Sequence, residues 1–288
     1  RSAALPVYFD KFRRLQRALL DSRVVAPRLA MLAPTASMRN NFPEGASQTE
    51  AVDLFWELFP RNDIFDLFPE EYILDGRARL EDFDALILPY ALYMSAPLRE
   101  RIENWLKERP RLLVAAGPFG LHDEIGQPAG ELLATAFGKD MIRPLESTTG
   151  KWAWTDGGDA GDPFRTARVG PSKVVLLLKP VSQCRGLASF KDRVVAPIEA
   201  CARRYAWDDA NAFELVLREQ GDIRYLGVLN PNPDQAADGN IHVAGGFQNV
   251  TDLDYPEGLP IPATIDDNHV VFRLRLEPGE ATILRLLP

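Results

Sequence analysis

The sequence predicts an α/β fold: an open parallel sheet layered with helices, followed by a small antiparallel β-sandwich. Three observations carry that reading. Between Phe83 and Gly138 the chain spells a buried strand, an amphipathic helix, a second buried strand and a loop before another helix. Both strands, Ala85-Leu86-Ile87-Leu88 and Leu112-Leu113-Val114-Ala115, are unbroken apolar runs, as burial on both sheet faces requires. From Phe213 onward, short segments instead alternate apolar and polar residues between turns, the pattern of strands with one face in a core and one in solvent.

Taken in order, Tyr8 to Leu20 places Phe9, Phe12, Leu15, Leu19 and Leu20 on one stripe, the spacing of an amphipathic helix. Arg28 to Pro34 reads as the first strand, and Thr35 to Ser47 as a polar loop. Thr49 to Phe59 is a helix whose Val52, Phe55, Trp56 and Phe59 are expected to face the sheet. Asp63 to Phe68 makes a second strand, Tyr72 to Leu80 a connector, and Ala85 to Leu88 the third strand. Pro97 to Lys107 returns as a helix with Leu98, Ile102, Trp105 and Leu106 inward. The fourth strand, Leu112 to Ala115, and a helix from Gly130 to Phe137 complete the alternation, which implies right-handed crossovers.

Residues Thr148 to Gly170 are rich in Gly, Asp and Trp, after which Val174 to Leu178 is a further strand and Arg193 to Tyr205 has helical spacing. FELVLRE, IRYLGVLNPN, NIHVAGGF, HVVFRLRL and ATILRLLP then supply the sandwich. The expected division is an N-terminal helix and linker over 1–27, the α/β domain over 28–207 and the sandwich over 208–288, with the last boundary near Trp207 to Asn211.

The 288 residues are 46% hydrophobic and carry a formal net charge of -8, enough for a sizeable core and unsuited to nucleic acid or an anionic membrane as main partner. No apolar run approaches the roughly 20 residues that cross a bilayer. Cys184 and Cys201 read as two reduced thiols, and His122, His242 and His269 are too scattered for a metal centre, so neither metal nor cofactor is expected. The opening Arg1-Ser2-Ala3 lacks a methionine, which suggests a piece of something longer. Nothing in it resembles a signal peptide, which favours a soluble, cytoplasmic protein over a secreted one. Asn249-Val250-Thr251 is a glycosylation sequon that arises often by chance.

Ligands of open α/β sheets bind at the carboxyl ends of the strands, so the candidates follow Ala33, Leu88 and Ala115: Asn40, Asn41, Tyr90, Tyr93, His122, Asp123 and Glu124. The turn Ala115-Ala116-Gly117-Pro118-Phe119-Gly120 stands where such sheets often mount a nucleophile, yet it has no Ser or Cys, and Pro118 removes an N–H an oxyanion hole could use. His122 and Asp123 are the remaining base-and-orienter candidates, although adjacent side chains seldom point at one another. The paired acids Asp82 and Asp84, and Glu70 and Glu71, read as solvated turn residues at the wrong end of the sheet. Gly45, Gly117, Gly120 and Gly126 do not form a phosphate-binding loop. Trp152 and Trp154 would share one face of an extended segment, where they suit packing, an interface or stacking on sugar rings.

The block FDALILPYALYMS, APLRERIENWLKER, LLVAAG and FGLHDEIGQPAGELLATAFG resembles the β-galactosidase trimerisation domain of family 42 glycoside hydrolases. That domain is flavodoxin-like, of class I amidotransferase-like type, and follows a catalytic barrel. The segments ELVLREQGDIRYLGVLNPN, NVTDLDYPEGLPIP and FRLRLEPGEATILRLLP are similar to the β-sandwich that closes many glycosidases. The resemblance implies a noncatalytic C-terminal region of a glycoside hydrolase that assembles subunits, a trimer among the options, and shapes the cleft of an attached or neighbouring catalytic domain acting on carbohydrate. The chain has too few strand and helix pairs for a barrel, so no catalytic residue carries over. Tyr90, Tyr93, Trp152 and Trp154 are its expected carbohydrate contacts. The alternatives are a free-standing amidotransferase-like hydrolase using His122 with Asp123 or Glu124, and a carbohydrate-binding or scaffold module.

Overall fold

The computed structural model describes residues 13, 15–16, 19–40, 45–62, 65–139, 145–148, 151–154, 162–201, 205–255 and 257–288. Most of the helix expected over Tyr8 to Leu20, and Asn41, lie outside the described residues. Two compact units emerge: the described residues of Pro27–Phe59 and Asp63–Arg203 form one, and those of Arg1–Ala26, Pro60–Asn62 and Arg204–Pro288 the other.

Along the chain, β1 (Arg23–Val24) belongs to the second unit. The first unit opens with β2 (Leu29–Ala33), α1 (Thr35–Asn40), α2 (Ala46–Leu58), β3 (Phe65–Pro69), α3 (Glu70–Leu74), β4 (Ala85–Pro89), α4 (Ala96–Glu108), β5 (Leu112–Ala116) and α5 (Glu131–Phe137). A hairpin of β6 (Leu145–Thr148) and β7 (Lys151–Trp154) follows, then β8 (Phe164–Val169), β9 (Ser172–Leu177) and α6 (Val181–Cys184). The unit closes with α7 (Ala188–Phe190), which runs through a π-helical turn (Lys191–Val195) into α8 (Ala196–Cys201).

Six strands make one sheet in the order β3-β2-β4-β5-β9-β8, parallel throughout except for β8, which pairs antiparallel to β9. The five parallel strands counted along the chain lie in the order 2-1-3-4-5, which puts the topological switch point between β2 and β4. Burial follows position: β4 and β5 are buried at every residue, while edge strand β8 alternates and edge strand β3 exposes Asp66 and Leu67. Because side chains alternate, Leu86 and Leu88 join Leu98, Ile102, Trp105 and Phe119 on one face. Ala85 and Ile87 join Leu54, Leu58, Val194 and Ile198 on the other.

Several expectations need correction. The segment read as a polar loop begins with α1, because Glu70, 34 residues away, accepts the Ala36 N–H at 2.8 Å and so supplies a cap that no local residue announces. The connector from Tyr72 lies partly within α3. The helix expected from Arg193 starts at Ala188, β7 and β8 fall in the stretch read only as Gly-, Asp- and Trp-rich, and β6 runs up to its first residue, Thr148. Most consequential, α2 turns the other way. Ala46, Ser47, Glu50, Leu54 and Leu58 are its buried residues, and Val52, Trp56 and Phe59, expected to face the sheet, are exposed.

The second unit holds two antiparallel sheets around one core. One has the order β1-β11-β12-β18-β14-β15, with β11 (Glu214–Gln220), β12 (Ile223–Leu229), β14 (Asn249–Asp252), β15 (Leu259–Ile261) and β18 (Ala281–Leu287). The other has the order β10-β13-β17-β16, with β10 (Ala206–Asp208), β13 (Ala237–Ala244), β16 (Ala263–Asp266) and β17 (His269–Leu276). The residues behind the sandwich resemblance work as turn pins. Buried Asn230 donates to the carbonyls of Gln235, Leu276 and Glu277, Asp252 accepts from Thr282 Oγ1 at 2.6 Å, and Gly279 turns at φ 67° before β18.

Candidate functional site at the carboxyl ends of the strands

The switch point places any ligand crevice between the ends of β2 and β4, beside the turn that follows β5. Tyr90, directly after β4, has φ 47° and is fully buried; its N–H donates to Ala116 O at 2.8 Å, and its carbonyl accepts from Ser47 Oγ at 2.9 Å. The Trp152 ring, from β7, lies 5.4 Å from the Tyr90 ring and is 2% exposed. Gly117 takes φ 95°, and a Cβ there would stand 2.8 Å from Tyr90 Cδ2 and 3.0 Å from Trp152 Cζ2. Any side chain at position 117, a nucleophile included, would collide with the two rings.

Glu50 on α2 reaches the same interior at 2% exposure. Its Oε1 accepts from Trp152 Nε1 at 3.1 Å and its Oε2 from the Val181 N–H at 2.9 Å, tying α2 to β7 and α6. Burial pushes its carboxyl up to about 7 against these hydrogen bonds, and Asp53 adds to the rise. Tyr90 Oη is buried without a hydrogen-bond partner among the described residues, and burial, with the Tyr93 and Glu50 charges, raises the phenol far above its ordinary range. Cys184 nearby is fully buried, its thiol pushed up to about 11 by burial and by Glu50. Both cysteines are free thiols.

The predicted residues are brought together only in part. His122 stacks on Tyr93 with ring centroids 5.2 Å apart, and its Nδ1 is buried without a partner among the described residues. Asp123 does not orient it: Asp123 Oδ1 accepts the N–H groups of Ile125 and Gln127 at 3.1 and 2.8 Å, closing its own loop. Asn40 Nδ2 donates to the Glu124 carbonyl at 3.3 Å. Stacking on sugar requires an open ring face, and Tyr90 and Trp152 present none; Tyr93 is half-buried, and the Trp154 side chain lies outside those described.

Each acid pair departs from the solvated reading in one member, Glu70 and Asp84, while Asp82 is exposed as expected. Glu70 and Glu71 follow β3, at the ligand end of the sheet, and Glu70 is buried. Thr35 Oγ1 lies 3.0 Å from Glu70 Oε1 and 2.7 Å from Glu71 Oε1. Burial raises the Glu70 pKa, whereas at Glu71 the bonds from Thr35 and Arg39 overcome burial and lower it. The pair therefore caps α1. At the opposite end, Asp84 receives Arg28 at 2.8 and 3.1 Å and Arg109 at 2.6 Å, clamping the starts of β2, β4 and β5. Burial opposes ionisation there, but the two guanidinium groups outweigh it and hold the carboxyl below its ordinary range.

One cluster went unread in the sequence. On the outer face of the four-stranded sheet, Trp207 stacks on His242 at 5.0 Å and meets His269 edge-on at 4.9 Å, with His242 Nε2 2.9 Å from Asp209 Oδ1. The strand register that makes neighbours of Trp207 and His242 is a tertiary fact. Among the described residues, no group of three or more His, Cys, Asp or Glu could hold a metal ion, and no helix is long and apolar enough to cross a membrane.

No protein-family model matches the sequence, and no curated protein matches it. Solved structures do. A β-galactosidase from Bacillus circulans sp. alkalophilus superposes with a TM-score of 0.66 at 13% identity, over 96% of this chain and 44% of that one. A catalytic mutant of a GH42 β-galactosidase from G. stearothermophilus gives 0.62 at 12%, over 92% and 41%. The α-L-fucosidase isoenzyme 2 from Paenibacillus thiaminolyticus gives 0.58 at 14%, over 97% and 51%. The chain spans less than half the length of these β-galactosidases, and at such identities what it shares with them is the fold: an α/β unit with a mostly parallel sheet, joined to antiparallel β-sheets.

Proposed function

We propose that this chain is the noncatalytic C-terminal region of a β-galactosidase-like glycoside hydrolase, serving in subunit assembly and in shaping the cleft of a catalytic domain outside it. The observation that carries the reading is the filled crevice: Tyr90 and Trp152 occupy the ground beside Gly117 where a sheet of this order would hold a ligand and a nucleophile. The 2-1-3-4-5 strand order supports a flavodoxin-like, amidotransferase-like ascription for the α/β unit. The fold likeness to β-galactosidases over under half their length supports a missing catalytic part. The native reading frame upstream of Arg1 tests the proposal. An in-frame (β/α)8 barrel of about 250 residues is expected; an initiation codon at this point would contradict it.

A further inference from the structure

The α/β unit also holds a concavity at the end of its sheet opposite the crevice. A pocket of about 430 Å³ opens between α4 and the connector that runs from α3 through a short 3₁₀ turn (Leu80–Asp82) into β4. Its volume falls within the range of small-molecule sites. The floor is apolar and fixed: Ile73, Leu80 and Trp105 are each buried, and Trp105 Nε1 donates to the Leu80 carbonyl at 2.6 Å. The walls are charged. Arg101 Nη1 donates to the Ile73 carbonyl, which ties the guanidinium to the pocket wall, and no carboxylate pairs with it among the described residues. Arg79, also on the wall, has its Nε 4.0 Å from Glu81 Oε2, beyond hydrogen-bonding range. Glu108 is already engaged, 2.8 Å from Nη2 of Arg111. Two guanidinium groups therefore face one unclaimed carboxylate, that of Glu81, a surplus of one positive charge.

We infer that this pocket binds an acidic sugar, a pyranose-sized ring bearing one carboxylate. Each part of such a ligand meets a group already in place. The carboxylate pairs with Arg79 and Arg101, whose planar donors match its two oxygens. The ring hydroxyls donate to Glu81 and Glu108 and exchange hydrogen bonds with the exposed Asn104 amide on the same wall. The C–H face of the ring covers Ile73, Leu80 and Trp105. A phosphate fits worse, since its second charge would face the same two glutamates, and a neutral sugar leaves the surplus cation unmet. The site lies apart from the crevice and does not depend on the assembly role proposed above, so either can fail alone.

Isothermal titration calorimetry of the full 288-residue chain with D-galacturonate, D-galactose and acetate tests this. Galacturonate should bind with a Kd of about 1 mM or below. Galactose, the ring without the charge, and acetate, the charge without the ring, should each bind at least about tenfold more weakly. Arg79→Gln and Arg101→Gln should each weaken galacturonate binding about tenfold or more, the worth of one charge-assisted hydrogen bond, with the circular dichroism spectrum unchanged. The Arg79 side chain is 69% exposed, so its variant carries the test even if loss of the Arg101 bond to Ile73 unfolds the other. Galacturonate that binds no more tightly than galactose or acetate overturns the assignment, and so does binding undiminished in the folded variants.

Discussion

Glu50 offers the sharpest test of the filled crevice, because its carboxyl is buried among Trp152, Val181 and Tyr90 with a pKa of about 7 against an ordinary 4.5. A folded state that holds this proton more tightly than the unfolded chain loses stability as pH rises from about 4.5, and the loss levels off above about 7. At 1.36 kcal/mol per pKa unit, the shift amounts to about 3 kcal/mol across that window. Glu50→Gln cannot titrate. It also has one acceptor oxygen where Glu50 uses two, so it leaves either the Trp152 or the Val181 N–H facing an amide, at a cost of about 1–3 kcal/mol at every pH. Urea unfolding followed by tryptophan fluorescence at pH 5 and pH 8 separates the two effects. The variant should be clearly weaker than wild type at pH 5, and the gap should narrow or reverse by about 3 kcal/mol at pH 8. Parallel pH dependence in the two proteins would refute the buried, proton-holding Glu50.

Further outcomes follow from the same geometry. Gly117→Ala forces a Cβ against Tyr90 and Trp152 at a φ of 95° and should lower stability by about 2 kcal/mol or more in thermal unfolding. A neutral effect would mean that the rings do not fill the turn. Asp84→Asn leaves Arg28 and Arg109 without their shared carboxylate and should cost about 1–3 kcal/mol at neutral pH. Because the Asp84 pKa is lowered, that contribution holds above the ordinary aspartate range and fades as pH falls through and below it, so a deficit undiminished in acid would count against the clamp. Cys184, buried with its thiol pushed up to about 11, should resist iodoacetamide at pH 8 until urea is added, as mass spectrometry of its peptide would show.

The central strands were legible because β4 and β5 are apolar at every position, a pattern that only two-sided burial explains. In the sandwich, β17 reads plainly because its alternation matches its burial residue by residue. What escaped was set by partners distant in sequence. The first turn of α1 is completed by Glu70, and nothing near Thr35 foretells that. On α2 the larger apolar stripe misled: Val52, Trp56 and Phe59 stand out in the sequence, while the buried face is Ala46, Ser47, Leu54, Leu58 and a carboxyl, Glu50, that finds donors on β7 and α6. Gly117 was legible as a turn without a nucleophile, but the rings that fill it come from β7 and the end of β4, and only the fold unites them.

The proposed role puts the chemistry outside this chain, and hydrolysis by the purified chain tests that most directly. Incubation with aryl β-galactosides and aryl β-glucosides should release aglycone at the rate of buffer alone. Turnover that a single carboxylate substitution here abolishes, Glu70→Gln or Glu71→Gln at the ligand end of the sheet first among them, would contradict it.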